Sequence, residues 1–258
     1  MTAVDRRPAS AEETWRQAPR PGRRDLVAWA AHDLRSPLAR IVAMAEALED
    51  GVVAEPKDVA RYLRTMRREA GRVAAMFDDL LLLCRLRGGA LRLSRVPAPL
   101  DELVAEAVAG AAVLAAPKGV VVRDRVGEPR PVAAVSTPEI SRVLQNLLDN
   151  AVRHTPAGGL VSVETNVATG GSWAVVSVQD ACGGMAPEDL AHAFDGGSRR
   201  STTGRAGSGP GLGLLIAHGL TAAHGGDISV HNQAGGCRFT VRLPLAHNER
   251  NREGMDRG

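Results

Sequence analysis

Four clusters of polar residues and glycines have the types and spacing to do chemistry. In AAHDLRSPLAR, His32 is followed at once by Asp33 and one helical turn later by Ser36. A neutral imidazole is a nucleophile near neutral pH, and a neighbouring carboxylate can hold the proton of one ring nitrogen while the other attacks. An ordinary surface histidine in a charged helix has the same local sequence, so this cluster alone leaves both readings open. In TPEISRVLQNLLDNAVRHTP, Asn146, Asn150, Arg153 and His154 share a helical stripe opposite Ile140, Val143, Leu144, Leu147 and Ala151. Asn is a mediocre helix former, and two of them one turn apart, followed by Arg, read as ligands. Amide oxygens suit Mg2+ and a guanidinium suits phosphate.

The third cluster is VVSVQDACGGM, an apolar run that ends at Asp180 and enters a turn at Gly183 and Gly184. A buried carboxylate at a strand end can accept a hydrogen bond from an amino group such as the exocyclic amine of adenine, and the glycines let backbone approach a ligand ring. A plain strand-to-helix turn is the alternative. The fourth is the run GSGPGLGLLIAHG, where Gly209, Gly211 and Gly213 lead into a helix that opens at Leu212. Backbone amides at a helix start form an anion cradle, and Arg199, Arg200 and Arg205 just before it add positive charge. No GK[ST] follows, so this is not a Walker loop, and the offsets of a dinucleotide fingerprint are missing. His224, before Gly225-Gly226, reads as part of a glycine stop signal with a structural role.

Two kinds of element must position these groups. Val27, Ala31, Leu34, Leu38, Ile41, Ala45 and Leu48 alternate spacings of four and three. After a break at Asp50-Gly51 and Pro56, Val59, Leu63, Met66, Ala70, Val73, Phe77, Leu80 and Cys84 keep the rhythm. This is the seam of a bundle, and two such helices joined briefly make an antiparallel hairpin. One hairpin covers only part of each stripe, so two are expected to pack as a four-helix bundle in a homodimer. His32 lies beside the seam residue Ala31 and is expected to point outward; Pro37 is expected to bend the helix.

After Gly88-Gly89 the period shortens. Strand-like runs lie at 91–96, 120–123, 131–135, 160–168, 173–179, 227–231 and 238–243, with helical runs at 100–115, 138–154, 187–194 and 212–223. Thr137-Pro138 offers a capping hydroxyl and then Pro in the first turn. The elements mix without strict alternation, which predicts an α+β fold with helices on one face of a mixed sheet. The expected organisation is a flexible leader at 1–24, a helical hairpin at 25–88, an α/β sandwich domain at 89–246 and a flexible tail at 247–258.

Composition narrows the classes. The chain has 258 residues, 32 basic against 29 acidic, too small an excess for a nucleic-acid stripe. The three cysteines, Cys84, Cys182 and Cys237, include no CxxC pair, which argues against a disulfide scaffold or a zinc site and fits a reducing cytosol. No run reaches the roughly 20 apolar residues of a membrane span, and the start has no signal-peptide core. The expectation is a soluble, intracellular (cytoplasmic) chain, or the inner piece of something longer.

The order and spacing of the four clusters resemble the cytoplasmic core of a two-component sensor histidine kinase. HDLRSPL resembles the phosphoacceptor box, QNLLDNAVRHTP the N box, DACGGM the first glycine box and GSGPGLGLLIAHG the second; FDGGSR, from Phe194, resembles the F box weakly. The resemblance covers roughly residues 25–245. It implies a Bergerat ATP-binding sandwich, as in gyrase-type ATPases and Hsp90-type chaperones. It implies that His32 takes the γ-phosphoryl group of ATP and that Asp33 assists as base. Asn150 would bind Mg2+ with Asn146 as partner, Arg153 would meet phosphate, and His154 would lie beside adenine. Asp180 would recognise adenine, near Gly184. Gly209, Gly211, Leu212 and Gly213 would shape the lid hinge and phosphate site. Domain and lid movement would bring ATP to His32, and the partner would be a response regulator receiver domain docking around it. Sensing would come from a separate protein, a missing receptor part or the core itself.

Three departures stand out. Cys182 occupies a usual Gly of the first glycine box, and Gly197 replaces an aromatic of the F box. Ser36 stands where the family usually has Thr or Asn associated with dephosphorylating the partner; it keeps a hydroxyl. The first two motivate an alternative, a non-catalytic nucleotide-binding scaffold. A related Bergerat-fold ATPase or protein-serine kinase fits less well, since it has no need of the hairpin.

Overall fold

A computed structural model of the chain describes residues 23–195 and 212–246, with side chains from Leu34 onward except Val126. The expectations for the leader, the tail, Gly209, Gly211, Arg199, Arg200, Arg205 and Gly197 lie outside the described residues. The described chain forms two compact units, a helical one and a sheet-bearing one.

The helical unit is a hairpin of α1 (Arg23–Glu49) and α2 (Pro56–Arg87). The first helix runs through Pro37 without a break. The turn at Asp50-Gly51 needs the left-handed backbone that glycine supplies, and Gly51 has φ +69°. Pro56 starts α2, where its missing amide costs nothing. Arg40 pairs with Glu69 at 2.9 Å across the hairpin. In α2 only half of the predicted seam is covered. Val59, Met66, Val73 and Leu80 are half-buried, while Leu63, Ala70, Phe77 and Cys84 are exposed, each set at a spacing of seven.

The second unit holds a five-stranded mixed sheet in the order β2-β4-β5-β7-β6. Its strands are β2 (Val121–Val126), β4 (Leu160–Val167), β5 (Trp173–Gln179), β6 (Asp227–Gln233) and β7 (Gly236–Pro244). The β2–β4 pair is parallel and the other pairs are antiparallel. Alternate residues are buried: Val161 and Val163, Ala174, Val176 and Val178, Phe239, Val241 and Leu243. That period-two pattern turns one apolar face toward the helices. The opposite face carries a polar ladder, in which Arg238 reaches Gln233 at 3.1 Å, Gln179 at 3.2 Å and Glu164 at 3.4 Å.

Three longer helices belong to the sandwich: α3 (Leu100–Ala115), α4 (Thr137–His154) and α6 (Leu212–Ala223). In α4 the predicted apolar stripe of Ile140, Val143, Leu144, Leu147 and Ala151 is buried. Two expectations shift. Residues 91–95 find no ladder partner among the described residues, and the strand is β1 (Val96–Pro99), paired antiparallel with β3 (Val132–Val135). Prolines 97 and 99 are tolerated there because a two-stranded ribbon leaves amide positions unpaired. The helix expected over 187–194 is the short α5 (Pro187–Ala191), closed by a turn in which the Ala193 amide donates to Leu190. Among the described residues, no helix is long and apolar enough to cross a membrane.

Candidate active site

The stripe of α4 opposite its buried face carries Asn146 and Asn150, both half-buried, then Arg153 and His154, which are exposed. The helix is held at both ends by residues that sequence reasoning did not assign to it. Its N-cap is Ser136, not Thr137, and Ser136 makes no side-chain cap bond. Instead the Ser136 backbone amide donates to Nε2 of His224 at 3.1 Å, and Nδ1 of His224 meets the Leu220 carbonyl at 2.7 Å. Nε2 must therefore be bare and Nδ1 must carry the proton. His224 is fully buried, and burial pushes its imidazole below the ordinary value. At the other end of α4, Lys118 donates to the carbonyls of Val152 at 3.0 Å and Arg153 at 2.7 Å, satisfying orphan acceptors of the last turn.

Asp180 directly follows β5 and is buried, 4% exposed. Its Oδ1 accepts two backbone amides, from Cys237 at 2.9 Å and Cys182 at 3.1 Å. That leaves Oδ2 as the oxygen with capacity for a ligand. Gly236 passes so close that a Cβ there would overlap the Asp180 carbonyl oxygen. The turn after Asp180 has Gly183 at φ +86° and Gly184 at φ +94°. It is pinned by Asn232, whose Oδ1 accepts the Met185 amide at 2.8 Å and whose Nδ2 donates to the Met185 carbonyl at 2.7 Å. Asn232 carried no motif signal, because its task depends on the β6–β7 turn lying beside this one.

Several contacts bring these pieces together. Thr155 Oγ1, just past α4, accepts the Ala181 amide at 3.3 Å. Partial burial and then the Arg153 charge push the His154 imidazole down, Asp180 pulls it part of the way back, and Lys118 adds to the push. A Cβ at Gly213, in the first turn of α6, would lie 3.2 Å from Asn146 Oδ1. The Nδ2 of Asn146 is buried with no hydrogen-bond partner among the described residues, the kind of orphan that a ligand satisfies. Asn146, His154, Asp180 and Gly213 are thus joined directly or through a neighbour, and Asn150 lies one turn along α4 from Asn146. Gly184 reaches the group through Asn232, whose Oδ1 is 3.4 Å from a Cβ built at that glycine. Leu212 opens α6 and is buried.

On the helical unit, His32 and Asp33 lie on the α1 backbone one turn before Ser36, which is exposed. The direction of the His32 ring concerns a side chain outside those described.

The residues fit ATP and Mg2+. The orphaned Asn146 amide group, the side-chain-free approach at Gly213 and hard amide oxygens are what a nucleotide with a magnesium ion requires.

A sheet sandwich with such a cluster of residues, in a chain that also folds a helical hairpin, defines an ATP-binding core of the phosphotransfer class. Residues 136–247 match the histidine kinase-, DNA gyrase B- and HSP90-like ATPase family, and residues 22–89 match the His Kinase A phospho-acceptor domain. The sensor histidine kinase RppB of a Synechocystis strain is 31% identical over 218 residues, 84% of this chain and 48% of that protein. The solved Acinetobacter baumannii histidine kinase AdeS superposes with a TM-score of 0.68 at 21% identity, covering 84% of this chain and 98% of that one. Full-length ShkA, solved in complex with AMPPNP, gives a TM-score of 0.64 at 26% identity over 88% of this chain and 46% of that one. The chain carries the phospho-acceptor and ATPase domains that make up the catalytic core of a two-component histidine kinase. It spans about half the length of the curated relatives it matches.

Proposed function

We propose that the chain is an ATP-dependent, autophosphorylating protein histidine kinase that passes phosphate to an aspartate of a response regulator. The observation that carries this reading is Asp180: a buried carboxylate whose Oδ1 is filled by two backbone amides, with Oδ2 left for the adenine amine. Asn146 and Asn150 would hold Mg2+, with Asn150 as the direct ligand, and the bound ion would neutralise charge developing on the phosphates. His154 would lie beside the base, Arg153 would meet phosphate oxygens, and the backbone at Leu212 and Gly213 would cradle the anion, a role the resemblance extends to Gly209 and Gly211. In the transfer, the bond from the γ-phosphorus to its bridging oxygen breaks and a bond to a His32 ring nitrogen forms. Asp33 takes the proton from the other ring nitrogen. That ShkA was solved with AMPPNP supports an adenine nucleotide as the substrate class.

A homodimer through the hairpin, a receiver-domain partner docking around His32, and a sensor segment or separate sensor protein complete the proposal. So does a cytoplasmic location, as the cytosolic part of a sensor or in association with one. Ser36, exposed one turn beyond His32, is positioned to orient water for dephosphorylating the partner. A second reading, a nucleotide-binding scaffold without transfer, is favoured by one feature, the Cys182 thiol where the family usually has glycine.

The test is incubation of the full chain with radiolabelled ATP and Mg2+. The expected label is acid-labile, base-stable, absent from His32→Ala and transferable to a receiver domain. Nucleotide binding without any label would reject the kinase in favour of the scaffold.

A further inference from the structure

The spacing of the cysteines argued against a metal site, yet the fold brings together three groups, distant in sequence, that could hold one. β5 and β7 are sheet neighbours, so the residue after β5 meets the first residues of β7. The Asp180 amide donates to the Cys237 carbonyl at 3.0 Å, and the amides of Cys237 and Cys182 both donate to Asp180 Oδ1. This backbone clamp sets Cys182 Sγ 3.1 Å from Cys237 Sγ, although the residues are 55 apart in sequence. One ligand atom each from Asp180, Cys182 and Cys237 lie within 4.8 Å of one another. Cys237 and Asp180 are buried and Cys182 is half-buried, so the cluster has one side open. Nearby, the Gly184 amide points at Cys182 Sγ at 3.4 Å, and Asn232 Oδ1 lies 3.4 Å from Cys237 Sγ.

We infer that Asp180, Cys182 and Cys237 form a site for a thiophilic divalent cation, zinc, and that zinc held there excludes the adenine nucleotide. Two sulfurs and one carboxylate oxygen are a donor set for zinc, and three protein ligands leave a fourth position for water at the open side. Zinc–sulfur bonds of about 2.3 Å in a tetrahedron hold two sulfurs about 3.8 Å apart, so the pair must open slightly. Cys182 can yield, because it leads into a turn of two glycines. Burial, with the Asp180 carboxylate, raises both thiols above the ordinary value. On binding, each S–H bond is replaced by a zinc–sulfur bond and two protons leave to solvent. The ion's double positive charge then faces two thiolates and a carboxylate. An Asp180 whose Oδ2 is spent on zinc cannot accept from the adenine amine. This exclusion rests on the reading of Asp180 given above.

The experiment uses the full chain, stripped by chelator and kept reduced with a phosphine. Zinc binding is measured by equilibrium dialysis, and cobalt(II) serves as a spectroscopic probe of thiolate ligands. Nucleotide binding is measured by calorimetry in excess Mg2+. The expected result is one zinc per chain, a sulfur-to-cobalt charge-transfer band, and nucleotide affinity at least about tenfold weaker with saturating zinc, restored by chelator. Cys182→Ser should weaken zinc binding on the order of a hundredfold and abolish the band. It should still bind nucleotide, now indifferent to zinc. Cys182→Gly and Cys237→Ser serve the same purpose, with circular dichroism to confirm folding. Absence of the band, or zinc binding unchanged in all three variants, overturns the site. Zinc bound through the thiols with nucleotide affinity unmoved overturns the exclusion. A chain that takes zinc but binds no nucleotide even in chelator overturns the adenine reading of Asp180, and the exclusion with it, while the cation site stands.

Discussion

At the scale of single residues, Asp180 and His224 each do one thing that a near-isostere cannot. Asp180→Asn keeps an oxygen for the two backbone amides but, on the proposed function, would turn an amide NH2 toward the adenine amine, donor against donor. Nucleotide affinity is expected to fall about tenfold to a hundredfold, with the unfolding midpoint little changed. Calorimetry that finds wild-type affinity would remove adenine from the pocket. His224 must be neutral to accept the Ser136 amide, and its folded-state value lies below 6.5. Its contribution is therefore complete above 6.5 and fades as pH falls toward the lowered folded-state value. His224→Leu leaves a buried amide unpaired and is expected to cost about 1–3 kcal/mol at neutral pH. The difference from wild type should shrink in mild acid; denaturant titrations at both conditions check this, and a constant difference refutes it. The sequence showed His224 as a structural stop signal but could not show its partner, which depends on where α6 ends relative to α4.

At the scale of elements, strong periodicity was readable and local ties were not. The apolar stripe of α4 and the alternation of β4 and β5 are properties of the residues themselves, so the helix and strands emerge where the pattern places them. β1 was misplaced because alternation at 91–96 says nothing of whether a neighbouring strand is available. Lys118, Thr155 and Asn232 escaped notice because each acts on backbone groups of another segment. Lys118→Ala should therefore loosen the last turn of α4, by about 1 kcal/mol, and weaken nucleotide binding through Arg153 and His154 without changing the chemistry of the pocket. Hydrogen exchange at the end of α4 would detect the fraying. In the hairpin, Leu63 and Phe77 are 53% and 57% exposed, large apolar groups on the uncovered half of the seam. Leu63→Glu with Phe77→Glu is expected to yield a monomer by sedimentation while leaving helix content intact. A variant that stays dimeric would place the interface elsewhere.

At the scale of the molecule, the proposed function divides the work between the two units: one would present a phosphoryl acceptor and the other would prepare the donor. The motifs that announced this division are local, so they were legible one box at a time. The thiol pair was not, since Cys182 and Cys237 meet only after the sheet has put β7 beside β5. The strongest dependence on assembly sits at a residue with no side chain. Because the start of β7 runs against the carbonyl of Asp180, a single methyl at position 236 has nowhere to go except into the backbone that aims the carboxylate. A genetic screen for signalling-dead alleles should accordingly return Gly236→Ala, a lesion outside every recognisable box, whose protein accumulates normally yet has lost its grip on the base.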